Sequence, residues 1–181
     1  MDRIGLSLTA IEEGIDVEAA ARHLSWMDFE DFVGDALRAE NFKVLNNIYL
    51  IKGDERRQID LLATREPLIL SIDCKHWRFK LSPSKISAAA KAHMERTRAV
   101  AEHIIRGGGI KGLSLPDRRC YMVPVIVLLA EPYNIKSVHE VPIVPLLKLR
   151  DFLRNVPPIP SLEPIKYIPI NPCFECCSGA S

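Results

Sequence analysis

RQIDLLATREPLILSIDCK, residues 57–75, is the stretch that decides the fold of this chain. Two apolar runs, IDLLA and LILSI, flank the pair Glu66-Pro67, and apolar runs on both sides of a turn signal predict a β-hairpin. If the turn centres between Glu66 and Pro67, the numbers of directly opposed residues sum to 133, so Asp60 faces Asp73. The sequence therefore predicts two neighbouring carboxylates, with Cβ atoms about 4.5 to 5.5 Å apart.

The alternation of side chains along a strand places Asp73 and Lys75 on one face and Ile72 and Cys74 on the other. Like charges directly opposite each other destabilise a sheet, and a divalent cation bound by oxygen ligands would compensate. The pattern thus predicts a metal site. A second interpretation stays open, in which Asp73 and Lys75 are solvated strand residues, Lys75 forms a salt bridge to a neighbouring aspartate, and Asp60 ends a turn.

Length and composition indicate one domain with a real core, because 48% of the 181 residues are hydrophobic. No run approaches the roughly 18 apolar residues of a membrane span. The first residues, MDRIGLSLTAIEEGIDVE, carry acids where a secretory signal needs an apolar segment. We therefore expect an intracellular, cytoplasmic protein without a membrane partner.

The charges of this nearly neutral chain are unevenly distributed. Residues 1–74 carry 8 Lys and Arg against 15 Asp and Glu, whereas residues 75–119 carry 11 against 3. Such a basic block predicts sequence-independent contacts to nucleic-acid phosphates, although a solvated helix face would look the same. The block contributes the candidate phosphate ligands Lys80, Lys85, Lys91, Arg96 and Arg98.

The elements around the hairpin follow from local signals. SWMDFEDFVGDALRAENF predicts a helix that starts with a capping box of Ser25 and Asp28, ends near Asn41 and carries Glu30 beside its apolar stripe. For Glu30, a solvated helix carboxylate is the common alternative. KVLNNIYLI predicts the first strand of an antiparallel meander that the hairpin completes.

The second half of the chain predicts a strand, a helix and another strand. Ser82 and Pro83 are start signals for a long alanine-rich helix, and the glycines at 107–109 end it. VPVIVLLA predicts a buried strand, which a right-handed crossover would make parallel to the strand that ends at Lys75. VPIVPLLKLRDFLRN predicts a last strand and a short helix. The expected fold is α/β, with a mixed sheet, helices on both faces and the order αβββαβ.

Three segments are expected along the chain: a helical lead-in over residues 1–24, the main domain over 25–155, and a Pro/Cys-rich tail over 156–181. The tail is proline-dense and predicted to be extended. Its cysteines, Cys173, Cys176 and Cys177, include a C-x-x-C spacing that no second pair completes, so a tail metal or disulfide site stays an alternative.

The order of these pieces resembles the PD-(D/E)XK nuclease superfamily, with the nearest likeness to Mrr-type restriction endonucleases and archaeal Holliday-junction resolvases. The matching pieces are FEDFVGDALRAENF with Glu30, RQIDLLA with Asp60, and LSIDCKHW with Asp73 and Lys75. Two positions depart from the pattern. Ile59 rather than proline precedes Asp60, and Mrr-type relatives often have Gln in place of Asp73.

The resemblance implies a metal-dependent DNA endonuclease that hydrolyses phosphodiester bonds. Asp60, Asp73 and the backbone carbonyl of Cys74 would hold Mg²⁺ or Mn²⁺, with Glu30 as a further ligand. Lys75 would orient or deprotonate the attacking water and stabilise the transition state.

Two further residues could contact the DNA partner. Gln58 shares a strand face with Asp60, and Trp77 points with Lys75, where it could stack on an unpaired base or pack as an ordinary aromatic. The alternatives for the whole protein are an inactive nucleic-acid-binding or scaffold protein of the same fold, and a RecB-like exonuclease or subunit of a repair or defence complex. The oligomeric state, including a homodimer, is left open.

Overall fold

The computed structural model describes residues 25–52, 55–77, 82–116, 118–129, 135–161 and 164–171. The lead-in over residues 1–24, the candidate phosphate ligand Lys80 and the cysteines of the tail, Cys173, Cys176 and Cys177, lie outside the described residues.

The first six described elements follow the predicted order αβββαβ, and further strands and a short helix come after them. They are α1 (Trp26–Ala39), β1 (Lys43–Lys52), β2 (Glu55–Arg65), β3 (Leu68–Lys75), α2 (Pro83–Ile105), β4 (Cys120–Leu128), β5 (Ser137–Val138), β6 (Val141–Pro145), a 3₁₀ turn (Leu146–Lys148), α3 (Leu149–Asn155) and β7 (Ile168–Ile170).

The sheet is mixed, as predicted. Its strand order is β1-β2-β3-β4-β6-β5, and β7 also pairs with β4. The meander β1-β2-β3 is antiparallel, whereas β4 runs parallel to both β3 and β6. The helix α2 makes the crossover from β3 to β4, which is the connection that a parallel pair requires.

The register of the hairpin is the one that the turn at Glu66-Pro67 predicted. Leu61 pairs with Ile72 and Arg65 pairs with Leu68, so the residue numbers of each pair sum to 133. The ladder between β2 and β3 ends at the Leu61–Ile72 pair. The aspartates at 60 and 73 lie directly beyond this pair, where the two strands separate.

The helices begin where their capping residues predicted. Ser25 and Asp28 form a full capping box at the start of α1, and the Ser82 side chain accepts the backbone N–H of Lys85 at the start of α2, where Pro83 occupies the first turn. α1 ends two residues before the expected Asn41, whose φ of 64° is left-handed and cannot continue a helix.

The core lies on both faces of the sheet, and helices cover both, as predicted. Phe29, Val33 and Leu37 of α1 pack with α3 on one face, against the even-numbered residues of β3 and the odd-numbered residues of β4. α2 packs on the other face. The strands β3 and β4 are therefore buried along almost their whole length, because both of their faces are covered.

The proline-dense segment after residue 155 adds a strand that the sequence pattern did not indicate. Cys120 at the start of β4 pairs with Ile170 of β7, and Val156 and Ile170 are buried. β6 pairs with the C-terminal half of the same edge of β4, so β7 completes the N-terminal half. The domain boundaries expected at 24/25 and 155/156 stay a prediction.

Candidate active site

The two aspartates of the hairpin line one depression of about 460 Å³. Residues of β2, β3 and α2 form its walls. Asp73 and Lys75 project from β3, and Arg96 reaches the same place from α2. The structure thus brings together three of the four residues expected to be catalytic, Asp60, Asp73 and Lys75, with two residues expected to bind DNA, Gln58 and Arg96.

Asp73 is held by two cationic side chains. The Lys75 ammonium lies 2.8 Å from Oδ2 and 3.0 Å from Oδ1 of Asp73, and Arg96 Nη2 lies 2.8 Å from Oδ1. Only Oδ1 has hydrogen-bond geometry, so Oδ2 is buried without a hydrogen-bond partner in the described part of the chain. The salt bridge that the second interpretation of Lys75 predicted is therefore present.

Asp60 is nearly buried, and its carboxylate replaces a bond of the β ladder. Asp60 Oδ2 accepts the backbone N–H of Cys74 at 2.8 Å, just beyond the last pair of β2 and β3. Burial raises the pKa of Asp60; the Cys74 N–H opposes this shift, and the negative charge of Asp73 adds to it. The ionised carboxylate is thus held in place at an energetic cost.

Glu30 approaches from α1 on the other face of the sheet. The Trp26 indole N–H donates to its carboxylate one turn away. Burial raises the pKa of Glu30, and the negative charge of Asp60 raises it further, with a smaller effect from Asp73. Glu30 therefore lies close enough to interact electrostatically with both aspartates, although it is not among the residues that line the depression.

The side chain of Cys74 faces away from the site, into the core under α1. Burial raises the pKa of its thiol well above the ordinary value, so the thiol stays protonated. The backbone N–H of Cys74 reaches the site, where it donates to Asp60, while the role of the Cys74 carbonyl as a metal ligand stays a prediction.

The donor atoms fit a hard divalent cation. Carboxylate oxygens are the ligands that Mg²⁺ prefers, and Oδ2 of Asp73 has no hydrogen-bond donor among the described residues, although it pairs with the Lys75 ammonium. In the described residues, however, no three His, Cys, Asp or Glu side chains lie close enough together to hold an ion. Lys75 and Arg96, rather than a cation, neutralise Asp73 in this arrangement.

A buried polar network fixes α2 against β3 beside the aspartates. His93 Nε2 donates to the carbonyl of Ser71 at 2.8 Å, and the hydroxyls of Ser71 and Thr97 lie 2.9 Å apart. Burial lowers the pKa of His93 to about 4, so the ring is neutral at pH 7. These residues were missed from the sequence, where a buried polar helix face has no signal distinct from the apolar positions around it.

The wall of the depression also contains residues that sequence reasoning missed. Gln58, which was expected there, donates to Asn47 Oδ1 at 3.1 Å, and Asn47 has a left-handed φ of 53°. Beside them, Arg57 Nη1 donates to the carbonyl of Glu95 at 3.4 Å. The guanidinium of Arg56 lies 4.1 Å from the ring centre of Tyr49.

Three of the other expected DNA ligands, Lys85, Lys91 and Arg98, lie on α2, and Trp77 lies just after β3. Lys85 and Lys91 are exposed, whereas Trp77 is half-buried and packs against the apolar cluster beneath α2. Arg98 lines a second depression of about 720 Å³, which shares Arg57 and Glu95 with the first. The structure thus places Arg96 beside the aspartates, Arg98 in the adjoining depression, and Lys85 and Lys91 nearer the start of the helix.

Comparison with known families identifies this part of the chain. Residues 21–105, which span α1 to α2, match the model of the Mrr catalytic domain, a family described as restriction endonuclease. Residues 21–105 are therefore similar to an Mrr-type restriction endonuclease domain. The match confirms the predicted resemblance to the PD-(D/E)XK nucleases, and the matched residues include every expected catalytic residue.

Other comparisons add little to this match. A crystal structure titled as a protein of unknown function, AF1548, is similar with a TM-score of 0.39 and 15% identity, over 59% of this chain and 49% of that one. The chain thus spans about half the length of that protein. No curated protein matches the sequence. In the described residues, no helix is both long and apolar enough to cross a bilayer.

Proposed function

We propose that the protein is a divalent-metal-dependent deoxyribonuclease, an endonuclease that hydrolyses phosphodiester bonds and selects its DNA by structure. The observation that carries the proposal is the convergence of Asp60, Asp73 and Lys75 on one depression, in the part of the chain that is similar to an Mrr-type domain. The intracellular location expected from the sequence goes with this activity.

Asp60 and Asp73 would hold Mg²⁺ or Mn²⁺, with the carbonyl of Cys74 and with Glu30 directly or through water. Nucleases of this superfamily generally use divalent metals, and a bound metal supplies an activated water and neutralises charge on the phosphate. The bond from the Cys74 N–H to Asp60 orients one ligand oxygen. Both aspartates are buried, so water hydrates their charged oxygens poorly. A bound cation would supply the charge compensation that water does not give there.

Lys75 would act on the attacking water and on the phosphate. Its side chain is 21% exposed and anchored on Asp73, so its ammonium lies at the boundary between the buried carboxylates and the open depression. A cation held there stabilises the charge that develops on the phosphate without further reorganisation.

DNA would lie along the exposed side of α2. Lys85, Lys91 and Arg98 are exposed on this helix, and Arg98 lines the depression that adjoins the site. Contacts of such groups to phosphates give affinity without sequence preference. Gln58, Trp77, Lys80 and Arg96 remain further proposed contacts.

The test is cleavage of circular plasmid, single-stranded and branched DNA with Mg²⁺ or Mn²⁺. Asp73→Ala and Lys75→Ala should lower the rate about 100-fold or more, because each removes a group that acts on the transition state. The exposed Asp35→Ala and Lys111→Ala are matched controls and should cut at the wild-type rate. Cleavage of closed circles distinguishes an endonuclease from a RecB-like exonuclease. Failure of the wild type on every substrate with both metals would refute the proposal, as would full activity of either site variant.

A second candidate is a nucleic-acid-binding protein without catalysis. One observation favours it, since Asp73 is neutralised by Lys75 and Arg96 without any cation. Under this alternative, DNA binding in EDTA would be retained, whereas no substrate in the same panel would be cut.

A further inference from the structure

Two cationic side chains pair with the buried carboxylate of Asp73. Lys75 comes from its own strand, and Arg96 comes from α2, 23 residues away in sequence. The side chains of Lys75 and Arg96 are 21% and 26% exposed, whereas that of Asp73 is 6% exposed. Two partly solvated cations therefore close the open side of one buried anion.

The contact between Arg96 and Asp73 is incomplete. Arg96 donates through Nη2 alone, and its Nε is buried without a hydrogen-bond partner in the described part of the chain, as is Oδ2 of Asp73. A structural arginine normally meets a carboxylate with two parallel bonds. Oδ2 of Asp73 pairs with the Lys75 ammonium, but a buried guanidinium N–H without a hydrogen-bond acceptor costs stability, so the contact of Arg96 is poorly optimised as a permanent ion pair.

The backbone beneath Arg96 is nevertheless firmly placed. The neighbouring residues His93 and Thr97 bond Ser71, two residues before Asp73 on β3. The helix therefore presents the guanidinium to Asp73 at a fixed position, while the exposed part of the side chain borders the depression. The head group can leave Asp73 without movement of the helix.

We propose that Arg96 is a positioning residue that neutralises Asp73 in place of a metal, so that Arg96 and a divalent cation compete for this carboxylate. The inference rests on the proposed function, because both place a cation at Asp73. It assigns Arg96 a role different from the phosphate contact expected from the sequence. A guanidinium 2.8 Å from a ligand oxygen repels a second cation.

The test is Mn²⁺ binding to the full chain without DNA, measured by calorimetry and by the spin resonance of free Mn²⁺. Arg96→Gln should lower the dissociation constant for Mn²⁺ about tenfold. This fold-change allows for solvent screening of the partly exposed Arg96 side chain. Arg98→Gln, two residues further along α2, makes the same charge change away from Asp73 and should alter the constant less than about twofold. Asp73→Asn should remove the binding in both backgrounds.

A second variant keeps the test decisive if Arg96→Gln does not fold. Arg96→Lys keeps the charge but shortens its reach to Oδ1, and we expect a gain in Mn²⁺ affinity of about threefold. An unchanged or weaker affinity in the position-96 variants would overturn the inference. So would an equal gain in Arg98→Gln, binding that survives Asp73→Asn, or no Mn²⁺ binding in any variant.

This experiment separates the inference from the proposed function, because no step of it requires cleavage. If wild-type protein cuts no DNA but shows the competition at Asp73, the proposed nuclease activity fails and the role of Arg96 stands. If it cuts DNA and Arg96→Gln binds Mn²⁺ no more tightly, the activity stands and the role of Arg96 fails.

Discussion

At the scale of one residue, the buried carboxylate of Asp60 lowers the stability of the fold while it provides a proposed metal ligand. Asp60 is only 7% exposed; burial raises its pKa, and the negative charge of Asp73 adds to this shift. A raised pKa means that the ionised form is less favourable in the folded chain than in the unfolded chain. At neutral pH, the ionised Asp60 therefore lowers the free energy of unfolding.

Asp60→Asn should stabilise the protein at pH 7 and abolish cleavage. Asn Oδ1 can still accept the Cys74 N–H, while the charge repulsion from Asp73 disappears. We expect a gain of about 1 kcal/mol, or roughly 3 °C in melting temperature. Scanning calorimetry measures the shift, with the exposed Asp35→Asn as a control that should change little. A lower melting temperature for Asp60→Asn would contradict the role of buried charge.

At the scale of elements, one ion-pair cluster joins α1 to α3. Glu40, directly after α1, accepts from Arg150 Nε and Arg154 Nε at 3.0 Å each. Arg65, at the end of β2, donates to the carbonyls of Glu40 and Leu153 at 3.1 and 2.9 Å. The cluster thus ties the end of α1, the helix that carries Glu30, to α3 and to the end of β2.

The Glu40 cluster should make stability depend on acid pH. The hydrogen bonds from Arg154 and Arg150 lower the pKa of Glu40 from its ordinary 4.5. The stabilisation is then fully present above pH 4.5 and is lost as pH falls through the lower pKa of the folded state. The difference in free energy of unfolding between wild type and Glu40→Gln should therefore shrink below pH 4.5, as urea titrations at several pH values would show.

Glu102→Gln is the matched control for Glu40→Gln. Its pair with Arg106 is exposed and spans 3.8 Å, so its contribution should be small at every pH. An unchanged difference for Glu40→Gln between neutral and acid pH would show that the cluster does not stabilise the ionised carboxylate.

At the scale of the molecule, acidic and basic residues are concentrated in different parts of the sequence, although the net charge is only +1. The basic block over residues 75–119 forms much of α2 and borders the site, so a neutral protein could still present a cationic surface to DNA. The acidic residues of the first 74 positions include the three carboxylates proposed to bind metal. Metal and DNA would thus be bound by opposite charges that share one edge of the fold.

DNA binding in EDTA should depend on salt through α2. Alanine at Lys85, Lys91 or Arg98 should weaken binding of every DNA sequence and reduce the slope of log affinity against log salt by about 1 per residue. Fluorescence anisotropy over a range of salt concentrations measures both. Lys136→Ala, exposed just before β5, is the control. If the three variants keep the wild-type slope, DNA does not follow this face of α2.

Local signals in the sequence were sufficient to predict the helices and strands from α1 to β4 and the shared strand face of Asp73 and Lys75. The period-two pattern and the turn at Glu66-Pro67 predicted the hairpin register, because a one-residue slip would turn every apolar side chain to the wrong face. Ser25 and Ser82 predicted the helix starts, because capping depends on residues three positions apart. The shared face of Asp73 and Lys75 followed from alternation alone.

What only the tertiary structure decided are the contacts between elements distant in the chain. Arg96 was expected on a phosphate and lies on Asp73, and Arg150 and Arg154 meet Glu40 across more than 100 residues. β7 pairs with β4 although its proline-dense sequence carries no strand pattern. Periodicity and capping describe what each segment does by itself. How α2 docks on β3, and hence which cation neutralises Asp73, depends on packing between segments that no local pattern encodes.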